Sequence, residues 1–172
     1  MIKNLPRVFV PILTLAWMAL IFYLSSQEAQ VSSGLSGDLI RNLAQIFVRE
    51  FNHMPNTEQI QMIDGLQHIV RKCAHGFLFF ILGSLTMCTM HTYKMNLKSK
   101  ILITFTIVLL YAVSDEIHQI FVPGRACLFS DVVIDTIGSS LGMLAMIGVM
   151  ALIRKFRTHK RITLNRKIVS GD

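Results

Sequence analysis

The sequence has few charged residues and no motif of paired cysteines. Only 16% of its 172 residues are charged and 52% are hydrophobic, whereas about 25% of a soluble domain is charged. A soluble core of this size cannot bury so much apolar surface, so an ordinary soluble fold is excluded. The three cysteines, Cys73, Cys88 and Cys127, are scattered. Their number excludes a disulfide framework, and their spacing argues against a metal site of the cysteine type.

Long hydrophobic runs, by contrast, are abundant. Four runs approach the roughly 20 helical residues that cross a hydrocarbon core of about 30 Å. They cover residues 8–24, 73–91, 101–121 and 132–153. The first run resembles a signal peptide, but no small-x-small cleavage site precedes Ser25-Ser26-Gln27, so we interpret it as a retained span. The predicted fold is an all-α integral membrane domain with four transmembrane helices, which leaves no room for a separate soluble catalytic domain.

Basic residues alternate between the two sides of these spans. The N-terminal tail, the loop after the second span and the tail at 154–172 are basic, whereas residues 25–72 carry more acidic than basic residues. The positive-inside rule therefore places both termini in the cytoplasm. The net charge of +7 is concentrated in the C-terminal tail. We interpret this tail as a cytoplasmic anchor to anionic lipid and not as a surface for nucleic acid.

The predicted first extracytoplasmic loop contains two apolar stripes at helical spacing. They predict amphipathic helices at about residues 36–52 and 57–72, separated by Pro55. No Pro or Gly interrupts the chain between Gly65 and Gly76, so the second helix should continue into the second span. Two interpretations stay open: the helices simply cap the bundle, or they form the wall of a site open to the outer leaflet.

Ionisable and polar residues of all four spans meet in one predicted layer near the outer face. At 1.5 Å per helical residue, Asp115 and Asp135 lie roughly 5–9 Å inside the ends of their spans. A charge within a span costs about 2.5–3.5 kcal/mol, and chains carry one where it is paired or used. The layer comprises Ser25, Ser26, Gln27, Lys72, His75, Asp115, Glu116, His118, Gln119, Arg125, Asp131 and Asp135.

Helical spacing predicts which of these side chains share a face. Asp115, His118 and Gln119 have the spacing i, i+3, i+4, and Asp131 lies four residues before Asp135. Each set can point into the bundle. In the fourth span, Gly138-x-x-x-Gly142 is a GxxxG motif that allows another helix to approach closely.

The charges of this layer do not balance. Four carboxylates face at most three cations, which are Arg71, Lys72 and Arg125. The excess requires protonated carboxyl groups, protonated histidines or a bound cation. No HExxH motif is present, and we predict no cofactor. A divalent cation is the alternative, held by an N/O donor set that suits zinc or manganese. In that alternative the ligands are His75, His118, Asp115 and Asp131.

Taken together, the motifs resemble those of the VanZ-like family of small bacterial membrane proteins. The motifs are Ser25-Ser26-Gln27, Arg71-Lys72-x-x-His75, Tyr111-x-x-Ser114-Asp115-Glu116-x-His118-Gln119, Pro123-Gly124-Arg125 and Asp131-x-x-x-Asp135-x-x-Gly138. The resemblance implies a bacterial cytoplasmic membrane and an envelope role linked to glycopeptide resistance, specifically to teicoplanin. This sequence departs from the family at Asp135, where Asn is usual, and at Phe79, where Tyr is usual.

Several functions remain open at this stage. In one, the polar layer binds a membrane lipid, a lipid-linked envelope component or a lipoglycopeptide antibiotic. In another, the chain is an enzyme acting on an envelope lipid or lipid-linked glycan, with Asp115, Glu116 and His118 as catalytic residues. Ser25 or Ser26 is a candidate nucleophile there if a histidine lies within hydrogen-bond reach. Ion or proton handling is a third possibility. A fourth is that ion pairs, Arg125 with Asp131 and Lys72 with Asp115, only fix helix register. The sequence does not predict an oligomeric state.

Overall fold

The computed structural model describes residues 5–27, 37 and 40–170. In these ranges the chain is helical and contains no strand. The four long helices are α1 (Leu5–Ser25), α2 (Asn56–His91), α3 (Leu97–Gln119) and α4 (Phe129–Ser170). Each has a segment long and apolar enough to cross a membrane. The prediction of an all-α chain with four such helices is therefore confirmed, and these helices indicate a multi-pass membrane protein.

The helix bounds differ from the predicted spans mainly where a helix continues beyond the membrane-crossing run. The 36 residues of α2 extend for about 54 Å, well beyond a 30 Å hydrocarbon layer. This single helix contains both the stretch predicted at 57–72 and the second span. Asn96 caps the start of α3, since its side chain accepts a hydrogen bond from the Ser99 amide at 2.8 Å. The last helix continues through much of the predicted basic tail.

The first loop is described only in part, because most of residues 28–39 lie outside the described ranges. Residues 40–47 are helical, and a short 3₁₀ helix follows at Phe51–His53. Ile40, Ala44 and Phe51 pack with Ile63 of α2 in a small core of their own. The opposite side of the 40–47 helix is apolar and exposed, with Phe47 79% accessible.

Neighbouring helices in the bundle are linked by polar side chains that cross between them. The Trp17 indole of α1 donates to the Leu78 carbonyl of α2 at 2.9 Å. The Tyr111 hydroxyl of α3 donates to the Met18 carbonyl of α1 at 2.6 Å. Between them lies the main core, which comprises Ile21, Phe79, Leu82, Val108 and Ala112. These contacts set the depth of each helix relative to the others.

Glycines bring α2 and α4 into backbone contact. A Cβ added to Gly138 would overlap the Gly76 backbone, and one added to Gly142 would overlap the Phe80 carbonyl. The Ser84 hydroxyl also donates to the Gly142 carbonyl at 3.0 Å. The GxxxG motif therefore has α2 as its partner. This close approach fixes which side of α4 faces the bundle, and it turns Asp135 inward.

The two ends of the bundle have different compositions. At the basic end, Arg7 of α1 donates to the Thr92 carbonyl at 3.2 Å, and Arg154 of α4 contacts the His91 ring at 3.3 Å. At the polar end, α1 and α3 terminate, α4 begins and the middle of α2 passes. The side chains Ser25, His75, Asp115, Gln119 and Asp135 lie there.

Candidate functional site

Each of the four helices contributes a side chain to one buried polar cluster at the polar end. Ser25 is the last residue of α1, and His75 lies halfway along α2. Asp115 and Gln119 lie one turn apart near the end of α3, while Asp135 lies in the second turn of α4. Asp115 is 2% exposed, and Ser25 and Asp135 are fully buried. The four spans therefore meet in one layer, as the depths of the residues predict.

One oxygen of Asp115 accepts two hydrogen bonds within this cluster. The Ser25 hydroxyl donates to Oδ2 at 2.8 Å, and the Gln119 amide donates to the same atom at 3.1 Å. His75 Nε2 lies 3.5 Å from Oδ2. Two donors on a single oxygen hold the carboxylate in a fixed orientation, which leaves Oδ1 for another partner.

Three buried carboxylate oxygens of the cluster have no hydrogen-bond partner in the described part of the chain. They are Oδ1 of Asp115 and both oxygens of Asp135. An isolated carboxylate away from water is among the most costly groups to bury. Such an arrangement is unusual in a folded protein and calls for a specific explanation.

Lys72 and Asp131 form an ion pair at the edge of the cluster. Lys72 Nζ lies 2.6 Å from Asp131 Oδ1, with about a fifth of each side chain exposed. The Ser130 hydroxyl joins them, since it accepts from Lys72 at 3.2 Å and donates to Asp131 at 3.0 Å. The register-fixing alternative, in which Lys72 pairs with Asp115 and Arg125 with Asp131, is thus not the arrangement in the structure.

Arg125 holds the end of α1 from the loop between α3 and α4. Gly124 supplies the positive φ of 75° that turns this loop. Arg125 Nε donates to the Gln27 carbonyl at 3.0 Å, and Nη2 contacts the Leu24 carbonyl at 3.5 Å. Burial lowers the pKa of this guanidinium below its usual range, and the nearby positive charge of Arg71 lowers it further.

The remaining predicted catalytic side chains, Glu116 and His118, contact groups outside the cluster. Glu116 Oε2 accepts from the Leu128 amide at 3.1 Å. The His118 ring stacks on Phe22 with centroids 4.2 Å apart. Both keep a buried atom without a partner among the described residues, Glu116 Oε1 and His118 Nε2. Asp115, Glu116 and His118 therefore face three different neighbours.

Two other predicted binding residues contribute little through their side chains. The Ser26 hydroxyl donates to the Tyr23 carbonyl at 2.7 Å within its own helix end. Gln27 is engaged through its backbone carbonyl by Arg125. In the Ser25-Ser26-Gln27 motif, only Ser25 thus places its side chain in the cluster.

Ser25 lies within reach of a histidine, but the arrangement is not that of a nucleophilic triad. Its hydroxyl is 3.3 Å from His75 Nε2 and donates its proton to Asp115. In a triad, serine and aspartate bind opposite nitrogens of the ring. Here both approach Nε2, so Asp115 competes for the serine proton and does not orient the histidine as a base.

A cleft opens beside the cluster and connects it with the surface. Its free space is about 10 Å³, room for one water-sized group, and about 270 Å³ when the part open to solvent is included. Cations, polar groups and acids all line it. The lining residues are Arg71, Lys72, His75, Gln119, Arg125, Asp131, Ile134 and Asp135.

Sequence reasoning missed some features of this site. Arg71 lines the cleft although only its neighbour Lys72 was expected to bind, and Ser130 completes the ion pair unforeseen. The alternative metal set included His118 and Asp131, but the structure groups His75 and Asp115 with Asp135 instead. The signal for Asp135 was its i, i+4 relation to Asp131, which did not show which of the two faces inward.

Comparison with known proteins gives one match. The model of the VanZ/LLP1 family matches residues 10–153, which overlap all four candidate membrane spans and include the polar cluster. No curated protein and no solved structure matches the chain.

Proposed function

The chain belongs to the VanZ/LLP1 family, and from that premise we propose that it binds an anionic headgroup in the cleft at its polar end. The headgroup is that of a membrane lipid or a lipid-linked component of the bacterial envelope. The ligand's apolar chain lies along the outer surface of the helices in the surrounding bilayer.

The observation that carries this proposal is the pair of guanidinium groups at the cleft. Arg71 and Arg125 both line it, and among the described side chains neither has a carboxylate within 4.0 Å. Like charges that approach each other in a half-buried site repel. A phosphate or carboxylate between them would relieve this repulsion and accept several charge-assisted hydrogen bonds.

The exposed apolar side chains of the long helices support the proposal that the cleft lies within reach of a lipid bilayer. Large apolar side chains are exposed on every long helix, for example Leu15, Phe77, Leu110 and Leu144, each at least 58% accessible. Exposed apolar area of this extent is typical of contact with lipid. Near the first loop, Leu43, Ile46 and Phe47 form a further exposed apolar row, which suits an interfacial helix.

The charge distribution supports the outer leaflet as the location of the cleft. No acidic residue occurs at residues 88–100 or 150–159, which form the basic end. By the positive-inside rule this end faces the cytoplasm. The polar end then faces outward, where lipid-linked envelope precursors and glycopeptide antibiotics are found. This placement is consistent with a role in resistance to teicoplanin.

A second candidate function is an enzyme acting on the same class of ligand. The observation that favours it is a set of buried acid–base atoms that have no hydrogen-bond partner among the described residues: Asp115 Oδ1, Glu116 Oε1 and His118 Nε2. A general acid or base needs such a free atom within reach of its substrate. The three atoms face different neighbours, so binding is the better supported function.

The proposal is tested by purifying the full-length protein in mild detergent and measuring retained lipid by native mass spectrometry. Wild type is compared with Arg71→Gln, Arg125→Gln and the double variant. Because each arginine contributes charge-assisted hydrogen bonds, we expect a loss of about tenfold in anionic-lipid retention per substitution. Retention of a zwitterionic lipid should not change.

Arg49→Gln is the matched control, since Arg49 is exposed and lies outside the cleft. Equal anionic-lipid retention by the control, the double variant and wild type would contradict the proposal. A change in the mass of the retained lipid would identify turnover and favour the enzyme.

In parallel, teicoplanin susceptibility and protein level are measured in cells expressing wild type, Asp115→Asn, Glu116→Gln or His118→Ala. Variants that accumulate normally but do not protect would link the site to resistance.

A further inference from the structure

Three potential metal ligands from three helices converge beside the cleft. His75 of α2, Asp115 of α3 and Asp135 of α4 each offer one ligand atom, and these atoms lie within 4.8 Å of one another. Nitrogen and oxygen ligands about 2.0–2.2 Å from a central ion are compatible with such separations. The convergence is a product of tertiary packing, because no two of these residues share a helix.

The second observation is the lack of partners for the acids of this group. Asp135 is fully buried, and both of its oxygens are without a hydrogen bond in the described structure, as is Asp115 Oδ1. Asp135 lines the cleft. Such oxygens are where a cation would bind.

The cationic side chains described around the cluster do not serve as partners of these unpaired carboxylate oxygens. Lys72 is engaged 2.6 Å from Asp131, and Arg125 is engaged by backbone carbonyls. His75 contacts the same oxygen of Asp115 that already accepts from Ser25 and Gln119. Within the described residues, no lysine or arginine lies within 4.0 Å of either buried aspartate.

We propose that His75, Asp115 and Asp135 hold a divalent first-row metal ion, Zn²⁺ or Mn²⁺, at the inner end of the cleft. One imidazole and two carboxylates form the N/O donor set that suits these ions. Three protein ligands leave a coordination position for water or an oxygen of the ligand in the cleft. Ser25 and Gln119 orient Asp115 by donating to Oδ2, so that Oδ1 remains for the ion.

The test uses full-length protein purified without a polyhistidine tag and stripped with a chelator. Zn²⁺ or Mn²⁺ is added, and bound metal is measured by elemental mass spectrometry and titration calorimetry. We expect about one ion per chain in wild type. Replacing residues that merely orient metal ligands costs about 10–100-fold in affinity, so Ser25→Ala should fall in that range. His75→Gln, Asp115→Asn and Asp135→Asn should lose more.

Matched controls on α2 are His68→Gln and Asp64→Asn, since both side chains are exposed. They should bind the ion as wild type does. Uptake that is absent from wild type, or equal in wild type and Asp135→Asn, would overturn the proposal. Loss of uptake in the controls would do the same, because it would place the ion on the surface. Metal-induced thermal stabilisation in wild type but not in His75→Gln gives a second readout if one variant folds poorly.

This inference stands independently of headgroup binding. Metal uptake depends on residues at the inner end of the cleft, whereas lipid retention depends on Arg71 and Arg125. The double arginine variant should therefore keep its metal. Retention of anionic lipid by Asp135→Asn without metal uptake would likewise separate the two.

Discussion

The two ends of the helix bundle treat their polar groups in opposite ways. At the basic end, hydroxyl groups and cations find partners: the Thr14 hydroxyl contacts that of Thr89 at 2.9 Å, and Lys100, only 7% exposed, contacts the His91 carbonyl at 3.5 Å. At the polar end, buried acids and a histidine keep unpartnered atoms. All five such atoms found in the described residues belong to Asp115, Glu116, His118 and Asp135.

This difference helps to separate structure from function. A buried polar group with a partner contributes modestly to stability, whereas one without a partner costs free energy. Such a cost in a folded protein calls for an explanation, such as a catalytic role or a bound water or ion. The basic end is therefore a framework whose polar groups are satisfied by the protein itself. The polar end is where we propose that a ligand, an ion or both supply the partners that the described residues do not.

The largest expected effect comes from breaking the packing that both ends share. Gly142→Ala adds a Cβ that would overlap the Phe80 carbonyl, which forces α2 and α4 apart. Overpacking typically costs about 1–3 kcal/mol and occasionally more, and we expect at least the upper end here because the overlap is with backbone. We expect a lower unfolding temperature in detergent. The fluorescence of Trp17, the single tryptophan, monitors the unfolding. Lipid retention and metal uptake should fall together as helix spacing changes.

Gly148→Ala is the control in the same helix, because a Cβ there meets nothing within 4 Å. It should be neutral, or stabilising by up to about 1 kcal/mol through higher helix propensity. Equal stability of the two variants would show that the close approach of α2 and α4 is not needed.

The framework was largely predictable from the sequence, for physical reasons. Runs of apolar residues near 20 in length have few alternatives to a membrane-crossing helix, so the order of four long helices followed directly. The continuity of α2 from the first loop followed from the uninterrupted chain between Gly65 and Gly76. Helix ends were less predictable. Hydropathy does not predict that α4 continues beyond residue 153, because the sequence there is charged and not apolar.

The site was predictable in its depth but not in its pairings. Acids near the ends of spans placed the layer correctly, because depth depends only on helical rise. Which side chain faces which neighbour depends on the rotation of each helix, and glycine contacts between α2 and α4 set this rotation. The spacing i, i+3, i+4 predicted that Asp115, His118 and Gln119 can share one face of their helix. In the structure Asp115 and Gln119 join the cluster while His118 stacks on Phe22 of α1.

An intermediate effect, opposite in sign, is expected at the polar end. In chelator-treated protein, Asp135→Asn removes a fully buried carboxylate that has no hydrogen-bond partner among the described residues. Removing that penalty should stabilise the fold by about 1–3 kcal/mol, while metal uptake is lost. Thermal unfolding monitored by Trp17 fluorescence measures both the gain in stability expected here and the loss expected for Gly142→Ala. Asp64→Asn, an exposed carboxylate on α2, should leave stability unchanged. A destabilised Asp135→Asn variant would mean that this carboxylate has a partner in the folded protein.

The smallest effect is expected at the basic end, where the comparison can be tested most cleanly. The Thr14 hydroxyl contacts that of Thr89 across α1 and α2, and it also donates to the Val10 carbonyl of its own helix at 2.9 Å. Replacing one of them with valine leaves the other hydroxyl with one partner fewer. Replacing both with valine keeps the shape and removes both polar groups, which is close to neutral. We expect each single variant to lose about 1 kcal/mol and the double variant to regain most of it, with lipid retention and metal uptake unchanged throughout. A double variant that loses metal or lipid would show that the two ends are coupled, and the division between framework and site would then fail.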